Sequence, residues 1–138
     1  MLIKRSASAQ WIGSGKAGKG TLTSPSGVLN ATQYSFNTRF EDGIGTNPEE
    51  LVGAAHAGCF SMQLAFNLQG AGFTADSIDT TSEVVLENGT ITTINLTTTV
   101  KAEGLDQAKF EELVNHAKAN CPISKLFNAS ITLQATLL

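Results

Sequence analysis

Apolar and polar positions alternate at the start of the chain. Ala7, Ala9 and Trp11 interleave with Ser6, Ser8 and Gln10, which is the period of a half-buried strand. The segment GSGKAGKG, Gly13 to Gly20, reads as a turn, Gly20 to Ser24 as a second strand, and Pro25 to Asn30 as a loop. Tyr34, Phe36, Thr38 and Phe40 then share one face of a predicted third strand, with Ser35, Asn37 and Arg39 on the other. That strand would hold Arg39 on a stiff element. From Asn47 the period changes. Asn47 suits a helix cap, Pro48 the first helical position, and Glu49 and Glu50 the first turn, where the helix dipole favours negative charge. The helix predicted from Asn47 to Gly70 carries apolar residues on every side: Leu51, Val52, Ala54, Ala55, Ala57, Phe60, Met62, Leu64, Ala65, Phe66 and Leu68. His56, Ser61, Gln63 and Asn67 interrupt the run and no basic flank follows, which argues for a covered core helix over a membrane span.

Beyond Gly70, Ile78, Thr80, Ser82, Val84 and Leu86 alternate again, and Asn88-Gly89 is the dipeptide best suited to a type I′ hairpin, with Thr90 to Lys101 returning. A second helix opens at Gly104, Leu105 and Asp106. Its apolar stripe of Phe110, Leu113, Val114 and Ala117 continues to Cys121, so that cysteine faces the core. Pro122 ends the helix, a short helix through Ser124 to Phe127 follows, and Ala129 to Leu137 alternates strictly as a last strand. The order of three strands, long helix, hairpin, helix and strand, with no βαβ alternation, predicts an α+β fold with mainly antiparallel sheet. A central helix apolar all round needs more cover than one chain supplies. This predicts a homodimer with two central helices packed between two sheets.

Composition narrows the function classes. The 138 residues, 41% of them hydrophobic, are one domain's worth, residues 1-138, and a net charge of -3 gives no general reason to bind nucleic acid or an anionic membrane. The N-terminus lacks the apolar run of a secretory signal, so the expected compartment is the reducing cytoplasm. There, two cysteines are more often thiols or a working redox pair than a structural staple. No Cys-x-x-Cys, His-rich cluster, Walker loop or dinucleotide fingerprint occurs, and no cofactor or metal is implied.

Taken alone, Cys59 reads either as a small buried hydrophobe or as a reactive thiol. It lies about three turns into the helix, too far for the dipole to help it ionise, so a reactive Cys59 would need a cationic side chain nearby. His56, three residues earlier, invites a Cys-His hydrolase reading, but neighbours on one helix surface are badly aimed for proton transfer and no oxyanion-hole signature is visible. Phe60, Met62 and Phe66 read as core or as the wall of a substrate pocket.

The segments FNTRFEDGIGTNPEELVGAAHAGCFSMQLA and AKANCPIS closely resemble the OsmC-like branch of the OsmC/Ohr family, and GKGTLTSPSGVLN and GFTADSIDTTSEV are similar to its flanking segments. The likeness covers nearly the whole chain. It implies an intertwined homodimer with two long central helices, and a thiol-dependent peroxidase that reduces organic hydroperoxides and, in some members, hydrogen peroxide. By motif, Cys59 in AGCFS resembles the peroxidatic cysteine and Cys121 in NCPIS the resolving one. Arg39 in NTRF and Glu49 in TNPEE resemble the pair that activates the thiolate. The hydroperoxide-resistance branch takes its arginine from the N-terminal Gly-rich region, where this chain has Lys16 and Lys19. Dithiols such as protein-bound lipoamide reduce family members. The break at Pro122 would leave the backbone room to present Cys121 to a sulfenic acid on Cys59. The competing expectation is a non-enzymatic binder of an apolar ligand, with both cysteines structural.

Overall fold

Strands need partners for their backbones, and the computed structural model, which describes residues 1–138, supplies them within two compact units, Met1–Leu51 and Val52–Leu138. In the first unit β1 (Ser8–Ile12), β2 (Lys19–Thr23) and β3 (Thr32–Tyr34) form an antiparallel sheet in that order. Gly20 lies opposite Trp11 on one side and Tyr34 on the other, and a Cβ there would run into both rings, whose centroids are 5.4 Å apart. Only glycine fits beneath that aromatic pair.

The third strand stops at Tyr34, and the predicted extension to Phe40 is wrong. Phe36–Phe40 is a short helix, α1. Five residues with Phe36 and Phe40 four apart satisfy a helix as well as a strand, and Ser35 decides between them. Its hydroxyl accepts from the Thr38 N–H at 3.3 Å, while the Thr38 hydroxyl accepts from the Ser35 N–H at 2.8 Å, a reciprocal capping box. The two phenylalanine rings stack along the helix with centroids 4.9 Å apart. Arg39 therefore projects from a helical turn.

The long helix α2 (Pro48–Gly70) begins where its start signals place it, with the Asn47 Oδ1 accepting a 2.7 Å hydrogen bond from the Glu50 N–H. Gly53, His56, Phe60, Leu64 and Leu68 form its buried stripe. The polar residues inside the apolar run are points of attachment. Ser61 donates to Thr80 at 2.7 Å, and the Asn67 amide donates to the Leu113 carbonyl at 3.1 Å. A Cβ at Gly53 would lie 3.2 Å from the Ser82 carbonyl oxygen, so glycine there lets helix and sheet approach closely.

That sheet consists of β4 (Ser77–Glu87), β5 (Thr90–Lys101) and β6 (Ser130–Leu137). Asn88 and Gly89 both adopt positive φ, 49° and 80°, as a type I′ turn requires, and β4 and β5 pair antiparallel. β6 pairs with β5 in parallel, reached through α3 (Gln107–Asn120) and α4 (Pro122–Leu126). The expectation of no βαβ unit is thereby corrected. Both strands are short of local signals for direction, and the two intervening helices give the chain the length a parallel return needs. Asp106 caps α3, accepting from the Lys109 N–H at 2.8 Å. Phe110, Leu113, Val114 and Ala117 pack with Phe60, Leu64, Leu68, Leu96 and Val100 into one core.

The opposite side of α2 is uncovered within the chain. Ala54, Ala55, Gly58, Met62, Ala65 and Phe66 are exposed, with Met62 at 64% and Phe66 at 62%.

Candidate active site

Pro122 has no N–H to continue α3, so the backbone turns extended at Cys121, with φ -62° and ψ 138°. Cys121 closes one helix and opens the next. Its N–H donates to the Ala117 carbonyl at 3.0 Å, while its Sγ accepts from the Ser124 N–H at 3.3 Å at the start of α4. The side chain is fully buried.

Cys59 is half-buried on α2 and packs against the same core, and both cysteines are free thiols. Burial pushes the Cys59 thiol above the ordinary cysteine value. The neighbouring Ile123 backbone opposes that shift and the neighbouring Cys121 side chain adds to it. No cation is among these influences. Cys59 thus packs against the core that holds Cys121 at the α3–α4 break, where burial disfavours its thiolate.

His56 is fully buried and its Nε2 lies 2.7 Å from the Ser124 Oγ, which in turn lies 3.1 Å from the Cys121 Sγ. Its ring meets Phe127 edge-on at 5.1 Å. Burial holds the His56 pKa below the ordinary histidine value of 6.5. Its hydrogen-bond partner is thus Ser124, and the Cys-His hydrolase geometry is not formed. Ser124 was missed in the sequence. The signal for it was the spacing Cys121-Pro122-x-Ser124, a helix start with a sulfur as cap.

Arg39 and Glu49 form an ion pair in the first unit. The Arg39 Nε and Nη2 donate to the Glu49 carboxylate at 2.9 and 2.7 Å, with the Glu49 side chain 12% and the Arg39 side chain 39% exposed. The guanidinium also lies over the Phe40 ring, 5.2 Å from its centroid. Glu49 and Cys59 are ten residues apart on the unbroken α2, so about 15 Å separates them along the axis. No glutamate side chain spans that distance. Lys16 and Lys19 line a cleft of about 470 Å³ with Tyr34, Asn37 and Ile44. No three His, Cys, Asp or Glu side chains gather where they could hold a metal ion, and no helix is long and apolar enough to cross a membrane.

Comparison with known proteins shows the family. The family described as OsmC-like protein matches residues 41–136. The chain is 50% identical to the peroxiredoxin OsmC of Escherichia coli strain K12, over 99% of both chains. It is 33% identical to the organic hydroperoxide resistance protein OhrB of Bacillus subtilis strain 168, over 86% of this chain and 88% of that one. Among solved structures, an OsmC-like protein from Mycoplasma pneumoniae superposes with a TM-score of 0.80 over 100% of this chain and 99% of that one, at 13% identity, which speaks for the fold alone.

Proposed function

Because the chain belongs to the family of OsmC-like proteins, we propose that it is a thiol-dependent peroxidase that reduces organic hydroperoxides, and hydrogen peroxide as a second substrate, through Cys59 and Cys121. The observation that carries the reading is a pair of free thiols, Cys121 in the core at the α3–α4 break and Cys59 packed against that same core, in a chain of this family. The Cys59 thiolate attacks the terminal peroxide oxygen, the O–O bond breaks, and the alkoxide leaves as alcohol after taking a proton. Cys59 becomes a sulfenic acid, Cys121 condenses with it, and water departs. An external dithiol, of which protein-bound lipoamide is one kind, returns the disulfide to two thiols. The setting we infer is the cytoplasm, where free thiols persist.

A buried thiol reacts slowly unless a cation offsets its desolvation, and Arg39, held by Glu49, is the cation assigned to that task. The 15 Å along α2 supports a reading in which the pair comes from the partner chain of a homodimer. The exposed stripe of Ala55, Gly58, Met62 and Phe66 supports that assembly, since burying large apolar side chains such as Met62 and Phe66 contributes about 1.5–3 kcal/mol each.

Adding cumene hydroperoxide to the reduced protein should remove two thiols per chain, and a dithiol should sustain turnover in the wild type but not in Cys59→Ser. A binder of apolar ligands would keep both thiols, and that result would end the peroxidase reading.

A further inference from the structure

Resting on the two-cysteine reading above, we propose that Ser124 is a catalytic residue of disulfide closure and His56 its positioning residue. Together they present an O–H donor to the Cys121 sulfur that attacks Cys59.

The His56 Nδ1 is buried and makes no hydrogen bond, while Nε2 faces the Ser124 hydroxyl at 2.7 Å. Desolvation keeps the ring neutral, so it carries one N–H. A proton on Nδ1 would be a buried donor with no acceptor, the rarer and less tolerated kind of orphan. The proton therefore sits on Nε2 and is donated to the Ser124 Oγ. This fixes the direction of the next bond. Ser124 has a single hydroxyl proton, its oxygen is already accepting, and its other neighbour is the Cys121 Sγ at 3.1 Å. The Ser124 backbone N–H points to the same sulfur at 3.3 Å. One residue thus aims two donors at Cys121, and a sulfur accepts such bonds far better as a thiolate than as a thiol.

Closure needs that thiolate. In the step Cys59–SOH + Cys121–SH → Cys59–S–S–Cys121 + H₂O, the S–O bond at Cys59 breaks and the S–S bond forms. The Cys121 proton leaves with the hydroxide as water. The Cys121 sulfur is oxidised as the Cys59 sulfur is reduced, and no further reagent is required. Donors that favour the thiolate cost it some nucleophilicity, but with a Brønsted slope of about 0.4–0.5 the gain in thiolate outweighs the loss. Nothing in this chain of bonds touches the peroxide, so the first chemical step should not sense it.

Single-turnover mass spectrometry with one equivalent of cumene hydroperoxide and a sulfenic-acid trap separates the two steps. In Ser124→Ala and in His56→Leu the sulfenic acid at Cys59 should form at the wild-type rate and close about tenfold to a hundredfold more slowly. Ser124→Thr keeps the hydroxyl and His56→Gln keeps an N–H, and both should close within a few-fold of wild type. The double variant Ser124→Ala/His56→Leu should be no slower than Ser124→Ala, because His56 acts only through the hydroxyl. Additive slowing would give His56 a merely structural role and overturn the relay. Wild-type closure in Ser124→Ala would overturn the proposal outright, and if His56→Leu does not fold, Ser124→Ala against Ser124→Thr decides alone. A wild type that loses no thiols would instead sink the two-cysteine reading, and this inference with it.

Discussion

Subunit mixing gives the sharpest test of how the site is assembled. Take two inactive variants, Cys59→Ser and Glu49→Ala, and let their chains exchange. Both residues lie on α2, which runs without a break from Pro48 to Gly70, so ten residues at 1.5 Å each place them about 15 Å apart along the axis. Glu49 is committed to Arg39 at 2.7 Å, which fixes the arginine to that end of the helix. If two copies of α2 pack antiparallel about a two-fold axis, each Cys59 meets the Glu49 of the other chain. In a heterodimer one site then carries both native residues and the other carries neither. Random exchange at equal concentrations makes about half of the dimers mixed, so activity should recover to about one quarter of wild type. Peroxide consumption with a dithiol, followed before and after exchange, reads this, with native mass spectrometry counting the heterodimers. No recovery in a verified mixture would mean that Glu49 and Cys59 work within a single chain, and the reasoning from helix length would fail.

Cys121→Ser should leave Cys59 with one added oxygen after one equivalent of peroxide rather than a loss of two hydrogens, as intact-mass measurement will tell. Arg39→Ala should move the alkylation of Cys59 to higher pH, because burial would then act unopposed by a cation; an unchanged profile would reassign the task to another group. His56 has a folded pKa below 6.5, so the unfolded chain takes up its proton first as pH falls. Its contribution to stability is present above about pH 6.5 and lost below it, by at most about 1.4 kcal/mol per pH unit. Urea midpoints at pH 7 and pH 5 should therefore differ less in His56→Gln than in the wild type. Phe60 is fully buried at the centre of the core, and Phe60→Ala should cost about 3–5 kcal/mol in chemical denaturation, a loss below 1 kcal/mol being incompatible with the packing described.

Where structure follows from neighbours in sequence, the residues alone determined it. Asn47 and Pro48 start α2, Asp106 starts α3, Pro122 breaks it, and Asn88-Gly89 turns the hairpin, each through bonds or torsions within a few residues. The stripe from Phe110 to Cys121 was legible for the same reason, since a period is a local property. The motifs around Cys59, Cys121, Arg39 and Glu49 named the groups, and the structure pairs Arg39 with Glu49 and sets Cys121 beside Ser124. Phe36 to Phe40 escaped because five residues fit both periods, and the Ser35 to Thr38 capping box outweighs the alternation. The parallel return of β6 beside β5 could not be read, since strand direction depends on where two helices deliver the chain. Only the tertiary structure decided that His56 serves Ser124 and not Cys59. Its partner lies 68 residues away, and the burial of both side chains, which leaves one ring nitrogen a partner and the other none, is a property of the packed core that no stretch of sequence contains.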